Sequence, residues 1–81
     1  MQHVVRSSRT MGDAIRRSRR MAGMTQAQLA TRTNLRQATI SHLENGEGGT
    51  LETLFAVITA LRLELHLTER STSLPALDDL F

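Results

Sequence analysis

At 81 residues the chain has room for one domain, near the size at which core burial only just offsets conformational entropy, so dimerisation would help it. It contains no cysteine, which excludes a disulfide framework and a thiolate metal site, and no apolar run is long enough to cross a membrane. The start, Met1 to Thr10, is polar and basic without the apolar core of a signal peptide, so the cytoplasm is the expected location and no cofactor is expected.

The pI of about 11.0 overstates the basicity, because no Lys, Tyr or Cys titrates below Arg and the formal charge is only +2. The distribution says more. Residues 1–43 hold eight Arg against one acid, Asp13, for +7, whereas residues 44–81 hold two Arg against seven acids, for −5. One end attracts phosphate and the other repels it, as suits a protein pressed onto DNA by one face. For Arg16, Arg17, Arg19 and Arg20 the alternative is an ordinary solvated helix face.

Met1 to Arg9 reads as a flexible basic arm. Met11, Ala14, Ile15, Ser18 and Ala22 then recur at helical spacing, predicting a helix over about 11–22 that Gly23 stops with a left-handed cap. The next stretch, Thr25 to Gly46, spaces its residues as two short helices crossing at a tight turn require. Thr25 caps the first, and Gln28 three residues on completes a capping box. Leu29 and Ala30 face inward, with Ala30 where the helices cross closely. Thr33, Asn34 and Leu35 make the turn, Asn34 taking a left-handed conformation that Asn tolerates. Ile40 and Leu43 anchor the second helix. Its outer side is left to Arg36, Gln37, Ala38, Ser41 and His42.

After a loop at Glu47–Gly49, Thr50 caps a helix whose Leu51, Leu54, Phe55, Ile58 and Leu61 share a face. Ala56 and Val57 widen its apolar surface, which points to a second contact. The period then changes to two. Leu61, Leu63, Leu65 and Leu67 alternate with Arg62, Glu64, His66 and Thr68, the pattern of a half-buried strand. No second strand-like run exists in the chain, so pairing with the same strand of a symmetry mate is the economical solution. The alternative is that the last helix continues, since Ile58, Leu61 and Leu65 also fit a helical face. Residues 71–81, STSLPALDDLF, read as a flexible tail. Its Leu74, Leu77, Leu80 and Phe81 are apolar enough to be a partner-binding or protease-recognition segment, or equally to pack on the protein's own dimer.

No enzyme signature is present: His3, His42 and His66 are far apart and there is no Gly-rich phosphate loop. Asp78 and Asp79 are adjacent and would diverge, and metal binding has no support.

The spacing through ATISHLENG resembles the Xre family of small DNA-binding domains, which includes the lambdoid phage repressors, over about residues 10–61. Two positions depart from it: the family usually has Gly where this chain has Asn34, and often Ser or Thr where it has Arg36. The block QATIS, followed by the Leu-Glu-Leu run from Leu63 to Leu67, resembles the Hip-type antitoxin (HipB) branch. The implied architecture is all-α: a four-helix lambda-repressor-like helix-turn-helix domain over 10–61, then a β-strand at 62–70 pairing across a homodimer.

In the major groove, Gln37 has the chemistry to bond an adenine bidentately and Ala38 to meet a thymine methyl, with Arg36, Ser41 and His42 as further base contacts. The resemblance adds Gln26 and Asn45 as phosphate contacts beside helix N-termini; Arg16, Arg20 and Thr39 join that set. The expected function is a dimeric repressor on palindromic double-stranded DNA. With no room for a ligand-sensing domain, control must come from a partner, proteolysis or abundance. The Hip-type resemblance implies an antitoxin that neutralises a HipA-like serine/threonine kinase toxin and represses its own operon. The alternatives are a stand-alone phage-type repressor, or an interaction or coactivator module that uses the same fold without reading bases.

Overall fold

Ser7 and Thr10 start the first helix earlier than its apolar spacing indicates. The Thr10 amide donates to Ser7 Oγ at 3.1 Å and the Ser7 amide donates to Thr10 Oγ1 at 3.0 Å, a reciprocal cap made with a threonine where glutamate or glutamine is usual. The computed structural model describes residues 2–70 as four helices: α1 (Ser8–Met21), α2 (Gln26–Thr33), α3 (Gln37–Glu44) and α4 (Leu51–Ala60). Of the predicted basic arm, residues 2–6 precede the cap. They fold back along α1, bringing the His3 ring Nε2 within 3.3 Å of Ser18 Oγ.

The remaining boundaries follow local chemistry. Gly23 takes a φ of +74° just past the α1 cap, and Thr25 and Gln28 exchange the expected capping-box bonds at 3.0 and 2.8 Å. Asn34 closes α2 with φ 58° and ψ 37°, the left-handed conformation expected of it. Thr50 Oγ1 accepts from the Thr53 amide and opens α4. That helix ends without a glycine. Arg62 adopts a φ of +59°, and the Leu63 and Arg62 amides donate back to the Ile58 and Thr59 carbonyls at 2.9 and 3.0 Å. This is a Schellman-type closure. The alternative of a continued helix through Leu65 is therefore set aside, because the orphan carbonyls of the last turn are satisfied by a reversal of the chain.

Residues 63–70 lie outside any helix, and among the described residues there is no strand. The strand pattern keeps its two-residue periodicity in one contact, the 2.9 Å approach of His66 Nε2 to Glu64 Oε1. The described residues of one chain hold no partner strand for it. Residues 71–81, including Leu74, Leu77, Leu80 and Phe81, lie outside the described residues.

The core gathers Ile15, Leu29, Ala30, Ile40, Leu43 and Val57, with Met11, Met24, Leu35, Leu54, Ala60 and Leu61 packed around them. Burying each large aliphatic contributes about 1.5–3 kcal/mol, so this cluster carries the fold. The faces of two helices differ from the spacing argument. On α1, Ala14 and Ile15 are buried as expected, but Ala22 is exposed while Gly12 and Arg19 turn inward. On α4, Val57 is fully buried and Leu51 and Phe55 are not, at 70% and 47% exposed. The helix is rotated toward Leu54, Val57, Ile58 and Leu61 because α2 packs against it from that side.

Gly12 is the closest approach in the domain. A β-carbon there would lie 2.5 Å from the backbone carbonyl oxygens of both Leu43 and Glu44. Two backbones cannot yield as a side-chain tip would, so glycine at this position sets the separation of α1 from α3.

Candidate nucleic-acid interface

The third helix is held from behind and open in front. Ile40, Leu43 and Glu44 are buried, at 0%, 7% and 1% exposed, which fixes the rotation of α3 about its axis. On the opposite side Gln37, Ala38 and His42 are exposed and Ser41 is half-exposed. Gln37 and Ser41, and likewise Ala38 and His42, are four apart and so lie one above the other on a single face. Four of the five residues expected to read bases are thus brought together on α3, with Arg36 at its N-cap. His42 Nε2 lies 3.7 Å from Glu47 Oε1, both side chains being largely exposed. Arg36 occupies the α3 N-cap without a side-chain hydrogen bond. It makes no cap of the kind Ser or Thr would make, which leaves the first amides of α3 without a side-chain acceptor.

Behind that face sits a buried polar cluster. The Glu44 carboxylate accepts from Arg19 Nε at 2.6 Å and Arg19 Nη2 at 3.0 Å, a two-bond pairing whose side chains are 9% and 0% exposed. Gln26 Nε2 donates to Glu44 Oε1 at 3.1 Å and Arg16 Nε donates to the same oxygen at 3.4 Å. Arg19 Nη1 also donates to the Met24 carbonyl at 2.8 Å, on the stretch joining α1 to α2. Burial, the largest single influence, pushes the Glu44 carboxyl up. The hydrogen bonds from Arg19 and Gln26, the Arg19 charge and the Arg16 bond together outweigh it and hold the group below its ordinary value. Glu44 is therefore an ionised hub that ties α1 and the first residue of α2 to the last residue of α3.

Neither Arg19 nor Glu44 stands out as a structural pair in the sequence. The signal lies in spacing. Arg19 falls four residues after the core residue Ile15, and Glu44 four after the core residue Ile40, so each continues an inward face with opposite charge. The solvated-face alternative fails for Arg19, which is 7% exposed, while Arg17 and Arg20 are exposed on α1.

The residues expected at phosphate divide. Asn45 is exposed, Gln26 and Thr39 are half-exposed, and Arg20 is exposed on α1. Arg16 turns its guanidinium to the protein, with Nη2 donating to Asn45 Oδ1 at 2.8 Å and to the Glu44 carbonyl at 3.3 Å. Beside it a shallow open groove of about 420 Å³ is lined by Asp13, Arg16, Arg17, Arg20 and Met21. Leu61 and Leu63 are half-buried, whereas Leu65 and Leu67 are 42% and 92% exposed. No three His, Cys, Asp or Glu side chains among the described residues converge in a way that could hold a metal ion.

Three comparisons bear on this geometry. Residues 15–67 match the family model described as helix-turn-helix. The chain is 33% identical over 66 residues to antitoxin HipB of Escherichia coli strain K12, covering 80% of this chain and 75% of that protein. A second antitoxin HipB, from Escherichia coli O6:H1, matches at the same identity over 70% of its length. Among solved structures, a complex of a HipB point variant with an O2 20mer superposes with a TM-score of 0.80 at 32% identity, covering 88% of this chain and 100% of that one. A HipA–HipB–O2–O3 complex gives 0.78 with the same identity and coverage.

Proposed function

The chain belongs to the Xre-type helix-turn-helix family, alongside the antitoxin HipB, and from that premise we propose that it is a DNA-binding transcriptional repressor and the antitoxin of a toxin–antitoxin pair. The observation that carries the reading is the outward face of α3. Gln37, Ala38 and His42 are exposed and Ser41 half-exposed on a helix whose other side is locked into the core. Such a face suits insertion into a major groove, with Gln37 on an adenine, Ala38 against a thymine methyl, and Arg36, Ser41 and His42 at neighbouring base edges. Gln26, Thr39 and Asn45, flanked by Arg16 and Arg20, form the proposed phosphate surface. Two copies related by a two-fold axis present their third helices to successive major grooves, on a palindrome with half-sites roughly 10 bp apart or a multiple of that. In this reading the second copy also supplies the partner strand that residues 62–70 lack.

The antitoxin part rests on the likeness to HipB, including its complex with HipA. The partner proposed is a HipA-like serine/threonine kinase, neutralised in a complex that represses its own operon, with residues 71–81 as the toxin-binding segment on their acidic and apolar chemistry. Co-expression with a HipA-like kinase tests it: growth should be restored and the two proteins should co-purify. Unrelieved toxicity with no complex would leave a stand-alone repressor.

Base reading has its own signature. Gln37→Ala is expected to weaken binding to the preferred site by roughly 1–3 kcal/mol and to relax one base position in a binding-site selection. A selected motif identical to that of the parent protein would remove Gln37 from the reading set, and no selected motif at all would favour an interaction module.

A further inference from the structure

A side-chain carboxamide presents either an acceptor or a donor to its surroundings, and the difference between them is a half-turn about one bond. For Asn45 that choice decides whether the exposed amide attracts or repels a phosphate oxygen. Arg16 has donors and no acceptor, and its Nη2 lies 2.8 Å from Asn45 Oδ1, so only the oxygen of the amide is satisfied facing it. The NH2 group is then turned the other way, where its one hydrogen bond among the described residues is a long 3.5 Å bond to Ser41 Oγ. At least one N–H is left for an acceptor outside the protein. Arg16 is itself held: its Nε donates to the buried Glu44 carboxylate at 3.4 Å and its Nη2 to the Glu44 carbonyl at 3.3 Å. Glu44 in turn is fixed by Arg19, whose side chain is only 9% exposed.

We propose that Arg16 is a positioning residue for DNA binding, orienting the Asn45 carboxamide so that its NH2 faces the phosphate backbone. This rests on the assignment of Asn45 to the phosphate surface. It gives Arg16 a role different from a direct phosphate contact: a guanidinium anchored at Glu44 sets the polarity of a neighbouring neutral group.

Operator titrations of Arg16→Met, Asn45→Ala and the double variant, each over a range of salt, separate the possibilities. Asn45→Ala should weaken binding about tenfold, the size of one hydrogen bond to a charged group. Arg16→Met should weaken it to a similar extent, and the double variant should be no weaker than Asn45→Ala alone. The slope of log K against log salt should be unchanged in all three, since a neutral amide releases no counterion. In the free protein, Arg16→Met should also shift the Asn45 side-chain NH2 resonances while the amides of the core residues Ile15 and Ile40 stay in place. Additive losses, with a salt slope lowered by about one in Arg16→Met, would make Arg16 a direct phosphate ligand and overturn the positioning role. An Asn45→Ala variant with full affinity would overturn both that role and the placing of Asn45 at phosphate.

Discussion

Glu44→Ala is expected to cost about 3–5 kcal/mol, a large share of the roughly 4–12 kcal/mol that holds a domain of this size folded. The cost comes from what the substitution leaves behind more than from the bonds it removes. Arg19 would remain 7% exposed, still charged, with only the Met24 carbonyl as a named partner. Gln26 would lose its carboxylate acceptor at the same time, and Arg16 would lose the bond from its Nε while keeping those from Nη2. Urea unfolding of the parent protein and the variant measures the difference, and a loss under about 1 kcal/mol would show that the cluster is solvated and weak. The same group sets an acid limit. Because its folded-state pKa lies below the ordinary carboxylate value, the stabilisation is complete above the unfolded-state range, near about 4.3, and is lost as pH falls through the folded-state value. Stability should therefore be flat in this contribution from neutrality down to about pH 5 and fall below it. A decline beginning near neutrality would assign the acid sensitivity to another group.

How far the chain was legible follows from what each residue needed in order to be placed. Thr25 with Gln28, Asn34, Gly23 and Thr50 act through their own backbone neighbours, and all four expectations hold in the structure. The Ser7–Thr10 box was missed although it is equally local, because threonine at the third position is an unusual reciprocal partner. Properties set by packing were less readable. Leu51 and Phe55 fit the same helical stripe as Ile58, and only the direction from which α2 approaches decides that Val57 goes inside instead. The outward face of α3 was readable because Ile40 and Leu43 alone fix its rotation. The support behind it was not, since Arg19 and Glu44 are buried only by virtue of each other. Charge counting placed Arg16 at phosphate, and it took the position of the Asn45 oxygen to show where the guanidinium points.

Leu65→Pro is expected to abolish the homodimer and to lower operator affinity by at least about a hundredfold, the factor lost when two linked half-site contacts become separate events. The motive is the run Leu61, Leu63, Leu65 and Leu67, which leaves α4 through the reversal at Arg62 and holds its leucines at 42% and 92% exposure by residues 65 and 67. A lone segment of this kind leaves its backbone donors unpaired, and in the proposed dimer the same segment of a second copy would satisfy them by symmetry. Proline removes one of those donors and interrupts the ladder. The variant is clean because α4 has already ended at Ala60, so no helical hydrogen bond depends on the amide of residue 65. Circular dichroism should accordingly match the parent protein while sedimentation reports a monomer. An undiminished dimer with unchanged helicity would reject the strand. It would move the interface to another exposed apolar pair, Leu51 and Phe55, which α4 turns away from the core one helical turn apart.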